Sequence, residues 1–301
     1  MPPFSSRRHD KLANLRKKLG TADSMGFGFR GIRHSAHRQG KSCFEVMTQS
    51  YLPVIVLVLL VVKAAAGGGF PCVSGSVPFG EGVCIPFEEA MEEATEYLRS
   101  HMPSWDATNE ATLFGRTLPG VDGLDTGIAM VGVNASLQAK VAFPWAWDVP
   151  KSIWFEYNAP YASVNEARTN WRPLFASLTG PMVAHIAVGG ETASVDEVVS
   201  TINGDIDVAV SIWKALGNSN NGGEIVFKSS QTPLIYDVMS TIAFGYASCT
   251  GISIVFVDAL KSAGVAARVA GTPLWHGKAG AGNHNWVEVY SPTTHEWSFM
   301  E

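Results

Sequence analysis

From Leu52 to Val62 the chain is apolar without a break, and Lys63 then ends the run. Downstream the spacing becomes helical. PFEEAMEEATEYLRSHMP (86–103) opens with a proline, carries acids in its early turns and ends on Arg99 and His101 before Pro103, which predicts a helix. Residues 104–125 are rich in turn formers, and 126–142 have a weak helical pattern. Ser163 with Glu166, and Ser194 with Glu197, stand in capping-box spacing and predict two more helix starts, the second running to Gly217. NSNNGG (218–223) reads as a linker. Beyond it Glu224–Lys228 reads as a short strand, and Cys249–Ala263 as a helix with Ile252, Val255, Phe256 and Leu260 at helical spacing. Strand patterns follow at 267–275, 284–290 and 295–300, with SPTT predicting a hairpin. No internal repeat appears. The expectation is an α+β fold in three parts: a leader (1–66), a mostly helical region (67–220) and a core of one helix on an antiparallel meander (221–301).

With 46% hydrophobic and 16% charged residues in 301, the chain can bury a large core in one unit or in a main domain with a helical companion. Charge is unevenly shared. Residues 1–46 hold ten Lys/Arg against three acids, whereas 67–301 hold 24 acids against eleven Lys/Arg. So acidic a body repels phosphate backbones, which argues against a nucleic-acid partner. MTQSYLPVIVLVLLVVKAAAGGG, from Met47, has the layout of a signal peptide, with Ala64 and Ala66 placed for cleavage before Gly67. Its apolar run of eleven is shorter than the roughly 20 residues that span a bilayer. Cleavage and secretion, or entry into a lumen, is the reading preferred over a signal anchor or an organellar address; a membrane enters only if the segment stays uncleaved. The basic residues before Met47 fit either an over-long start, with translation beginning at Met47, or a transit segment.

Cleavage would leave Cys72, Cys84 and Cys249, an odd number. Cys72 and Cys84 flank a loop-like stretch that could close as a local disulfide in an oxidising compartment. Cys249 is then the remaining thiol. It falls in the opening turn of a predicted helix, after the small residues Gly245, Ala247 and Ser248. Backbone N–H groups at such a turn favour a thiolate and can hold the oxyanion formed when it attacks a carbonyl. A base must come from elsewhere, and His284 opens a predicted strand.

SCTGISIVFVDALKSAGVAARVAGTPLW, followed by NHNWVEVY and HEWSF, resembles the core of the transglutaminase-like superfamily, a papain-related fold. The likeness is dense over 236–301 and looser over PYASVNEARTNWR (160–172). It implies a triad of a helix-start Cys, a strand His and an acid on the next strand, here Cys249, His284 and Glu301. The family acid is commonly an Asp a few residues after a Trp; after Trp297 only Glu301 stands at that distance, as the final residue. A truncated chain with its acid beyond 301 is therefore expected, and Glu288 is an outside candidate for the role.

The resemblance implies a thiol acyl-transfer enzyme acting on amide or peptide carbonyls of a protein or peptide substrate, with no cofactor. Hydrolysis is preferred; the alternatives are a cross-linking transglutaminase and a non-catalytic binding module. Asn165, Glu166, Arg168, Trp171 and Arg172 could line a cleft, though caps and packing explain them more simply. His276, His284 and His295 have no zinc-site spacing, and the Gly-rich stretches lack the strand-then-helix setting of a phosphate loop.

Overall fold

The computed structural model describes residues 70–117, 124–125, 127–187, 193–207, 209–217, 223–278 and 280–300. The leader, its apolar run, most of the 218–223 stretch and Glu301 lie outside these residues. β1 (Ser76–Pro78) and β2 (Cys84–Pro86) form an antiparallel hairpin with Val77 opposite Ile85. The Cys72–Cys84 disulfide, with its Cα atoms 5.8 Å apart, closes the hairpin. α1 (Phe87–Ser100) leaves Pro86 directly, with Glu88 and Glu89 in its first turn and Arg99 in its last, and buries the row Ala90, Ala94, Leu98. α2 (Ile128–Ala142) follows, then a π-helical turn at Trp154–Asn158, and α3 (Arg172–Ala187).

Two expected helix courses differ from those observed. At Ser163 no helix starts, although the capping-box spacing is used: Glu166 accepts from the N–H groups of Ser163 (2.7 Å) and Val164 (2.8 Å). Arg168 is drawn to Asp106 and to the carbonyls of Val164 and Glu166, so the motif closes a loop, and the helix begins only at Arg172. At Ser194 the expected cap forms, its side chain accepting from Glu197 N–H, but α4 (Val195–Asn203) ends at Gly204. Gly204 takes φ 90°, and Asp205 N–H returns to Ser200 O at 2.9 Å, which terminates the helix. Ser211 then caps a separate α5 (Ile212–Leu216).

The C-terminal part follows the sequence closely. β3 (Val226–Phe227) pairs in parallel with β4 (Tyr246–Ala247), and between them lies α6 (Val238–Phe244), capped by Asp237. α7 (Cys249–Ser262) comes next, then the antiparallel sheet β5 (Ala267–Thr272), β6 (His284–Ser291), β7 (Glu296–Met300), in that spatial order. α7 lies between α3 and the β5–β6 sheet, and every residue from Ser253 to Ser262 is buried. The stripe expected from Ile252, Val255, Phe256 and Leu260 is thus only part of its buried surface. One apolar core runs without a break from Val77 of the hairpin through α2 and α3 to Tyr290 of the sheet.

Charged groups lie inside that core. Arg172 (2% exposed) of α3 donates to the carbonyls of Asn158 (2.6 Å) and Pro160 (3.2 Å). It stands near Asp258 (1%) and Lys261 (3%) of α7. Burial pushes the Asp258 carboxyl well above its ordinary range, against the pull of Lys261 and Arg172, and pulls Lys261 down to about 8. Asn158 ties the π-helical turn to the end of α7, accepting from Ser136 (2.6 Å) and donating to Val265 O (3.1 Å). Lys140 is fully buried; it donates to the carbonyls of Ala146 (2.6 Å) and Val149 (2.9 Å) and lies 4.4 Å from the centre of the Trp154 ring.

Candidate functional site

Cys249 is the first residue of α7, half-buried, with its thiol outside the disulfide. The chain reaches it through a tight sequence of elements. α6 ends at Gly245 in the left-handed region (φ 75°), β4 runs for two residues beside β3, and Ser248 takes an extended conformation as the N-cap residue. Ser194, Ser211 and Asp237 each cap their helix with a side-chain oxygen, but Ser248 makes no such bond. The first intrahelical bond of α7 is Ile252 N–H to Ser248 O at 2.9 Å, so the N–H groups of Cys249, Thr250 and Gly251 precede the helical ladder. Here Gly251 is required by space. A Cβ on it would come within 2.8 Å of Ile235 O and 2.6 Å of the Ala247 methyl, so only glycine lets the loop before α6 lie against the first turn.

His284 is the first residue of β6, opposite Thr272 of β5. Its ring lies 4.2 Å from that of Trp275 and 6.2 Å from that of Trp286. Trp275 belongs to the short turn Trp275–Gly277 between β5 and β6, so the turn supplies an aromatic wall for the imidazole.

A side-chain bond joins the two element starts: Thr250 Oγ1 donates to Asn285 Oδ1 at 2.8 Å. Each partner is the residue after a candidate, so Cys249 and His284 occupy the same end of the helix–sheet layer. Asn285 also donates to Ala270 O at 3.4 Å. Gly271 makes room for it, since a Cβ there would meet the Asn285 amide nitrogen at 2.3 Å. Sequence reasoning passed over Thr250, Asn285 and both glycines; the glycine inside a strand pattern was the available signal of a close approach.

Glu288 is engaged elsewhere. Arg268 donates to its Oε2 from Nε (2.8 Å) and stands at 2.7 Å through Nη2, and Trp286 Nε1 donates to Oε1 at 3.2 Å. Four residues of strand, roughly 13 Å, separate it from His284. Glu301 lies outside the described residues. Among the described residues no three His, Cys, Asp or Glu side chains gather as metal ligands. Of the polar cluster considered in the sequence, Glu166, Trp171 and Arg172 are buried in structural roles, whereas Asn165 and Arg168 border a cleft.

Residues 193–301 match the family model of the transglutaminase-like superfamily, from α4 through β7. No curated protein and no solved structure matches the chain. The Cys72–Cys84 disulfide is compatible with a secreted or lumenal protein, and among the described residues no helix is long and apolar enough to cross a membrane.

Proposed function

Since the chain carries a transglutaminase-like superfamily domain at residues 193–301, a domain generally enzymatic and cysteine-based, we propose that it is a thiol acyl-transfer enzyme acting on carboxamide or peptide carbonyls. Cys249 is the nucleophile and His284 its general base. The carrying observation is the Thr250–Asn285 hydrogen bond, which holds the starts of α7 and β6 together. The Cys249 sulfur attacks the carbonyl carbon, and the oxyanion is held by N–H groups of the uncapped first turn. As the C–N bond breaks, His284 gives the leaving amine the proton taken from the thiol. Water, deprotonated by the same imidazole, then attacks the thioester, releases the carboxylic acid and restores the thiol. Glu301 is the acid assigned to orient the imidazole. Hydrolysis of a protein or peptide amide is the outcome proposed, in a secreted or lumenal setting.

The test is turnover of a glutamine-containing peptide library, read as ammonia and new carboxylate, with alkylation of the thiol by iodoacetamide measured in parallel. Parent protein turns over a subset of peptides. Cys249→Ala abolishes turnover, and His284→Ala lowers both turnover and alkylation rate by roughly a hundredfold or more. A thiol alkylated at the same rate with and without His284, in a protein inert to every peptide, would overturn the reading. Peptides joined to an amine acceptor in place of hydrolysis would move it to cross-linking.

A further inference from the structure

A cleft of about 1070 Å3 shares no residue with the Cys249–His284 end. It lies between the end of α1, the turn Ser104–Asn109 and the loop 160–168. Its size reaches the upper end of the roughly 300–1,000 Å3 common for ligand sites. Three aromatic side chains face it: Tyr97, Tyr161 and Trp105, the last 62% exposed. A single exposed indole is ordinary on a surface. This one borders a concave site in company with two other aromatic rings.

The walls are braced before any ligand arrives. Asp106, 3% exposed, accepts from Arg168 Nε (3.0 and 3.1 Å) and from the Tyr161 hydroxyl (3.0 Å). Glu166 holds the N–H groups of Ser163 and Val164, and Trp171 Nε1 donates to Tyr161 O at 3.0 Å. His101 stacks on Tyr97, with centroids 4.1 Å apart and 19° between planes. Its Nδ1 makes both bonds, to Tyr97 O (2.8 Å) and Ser100 Oγ (3.1 Å), which leaves Nε2 for another partner. Asn165 and Glu156 stand exposed in the lining.

Charge narrows the occupant. The one guanidinium of the lining, Arg168, is already matched by Asp106 through Nε and Nη2, while Nη1 donates to the carbonyls of Val164 and Glu166. Its charge is thus matched and four of its five N–H groups are engaged, and Glu156 adds negative charge. What fits is a neutral ligand with flat apolar faces and hydroxyls along its edges. We propose that this cleft binds a neutral oligosaccharide, a sugar ring lying against Trp105 and hydroxyls bonding to Asn165, Glu156 and His101.

The test titrates the full chain with chitopentaose, cellopentaose and maltopentaose, followed by calorimetry and tryptophan fluorescence. Tetramethylammonium and an apolar hexapeptide serve as competing probes. At least one oligosaccharide binds with a Kd of about 1 mM or tighter and changes the fluorescence. Trp105→Ala, an exposed position whose loss leaves the melting temperature unchanged, weakens that binding at least about tenfold, and Asn165→Ala weakens it by a smaller factor. Cys249→Ala binds as the parent does, so the site is read apart from the thiol chemistry. No response to the three sugars at about 10 mM overturns the proposal, as does sugar binding untouched by Trp105→Ala. Binding of only the ammonium ion or only the peptide would assign the cleft to a cation or to a polypeptide instead.

Discussion

At the N-terminal turn of α7, Cys249 is half-buried and the N-cap serine makes no side-chain capping bond to the N–H groups that precede the helical ladder. Toward the other end, Asp258, Lys261 and Ser262 are buried, and the two ionisable groups feel each other, Arg172 of α3 and Glu166 through charge, with neither oxygen of the Asp258 carboxyl hydrogen-bonded among the described residues. The first arrangement keeps backbone donors available at a small stability cost, since a missing cap is worth about 1 kcal/mol. The second is far more demanding, because a buried charge without its partner costs several kcal/mol. One helix thus joins a tip with a half-buried thiol to a stem that carries buried ionisable groups.

Breaking the stem should give the largest effect. Arg172→Ala leaves the Asp258–Lys261 side of α7 without its guanidinium and removes donors from Asn158 O and Pro160 O. A loss of about 3–5 kcal/mol in denaturant unfolding is expected. The pH dependence sharpens the comparison next. Lys261 in the folded protein titrates at about 8 against an ordinary 10.5, so above about 8 the unfolded chain holds a proton that the folded one has released. Stability therefore rises with pH from about 8 toward 10.5, and the cost of the buried ammonium is fully present below about 8. The raised Asp258 carboxyl works in the opposite sense, its contribution to stability falling as pH climbs above the ordinary carboxylate range. Thermal melts of Lys261→Met between about pH 8 and 9.5 should lose the parent's rise.

Changes at the tip are smaller in stability and larger in activity. Gly251→Ala puts a methyl against Ile235 O and Ala247, and an overpacked contact of this kind costs about 1–3 kcal/mol. Its displaced loop should lower turnover further than the melting temperature suggests. Thr250→Val deletes the bond to Asn285 at a cost of about 1 kcal/mol. If that bond sets the spacing of Cys249 and His284, kcat falls while KM holds; unchanged kcat would show that the element starts are held by packing alone.

The parts legible in the sequence were those set by local rules. Alternation in HNWVEVY gave β6, the apolar spacing after Cys249 gave α7, and two cysteines in a turn-rich stretch gave the disulfide pair. Distant partners decided the rest. Ser163 and Glu166 satisfy the spacing of a helix start, but Asp106 claims Arg168 and the segment stays a loop. Gly204 stops α4 because its left-handed conformation matches a returning Asp205 N–H, which the expected course to Gly217 overlooked. Nothing in the sequence marks Lys140, Asp258 and Lys261 as buried; tertiary packing places them inside, together with Arg172. At the candidate site, Cys249 and His284 were singled out from the sequence, whereas Thr250 and Asn285, which connect their elements, had no signature of their own beyond adjacency.

Because α7 is covered on one side by α3 and on the other by the sheet, residues 193–301 should not fold as an independent unit. A recombinant fragment beginning at residue 193 would open the α3-facing side of α7 to water and strand Asp258 and Lys261 without Arg172. Such a piece should collect in inclusion bodies, and a productive expression boundary lies upstream of Cys72, where the hairpin that begins the shared core is still intact.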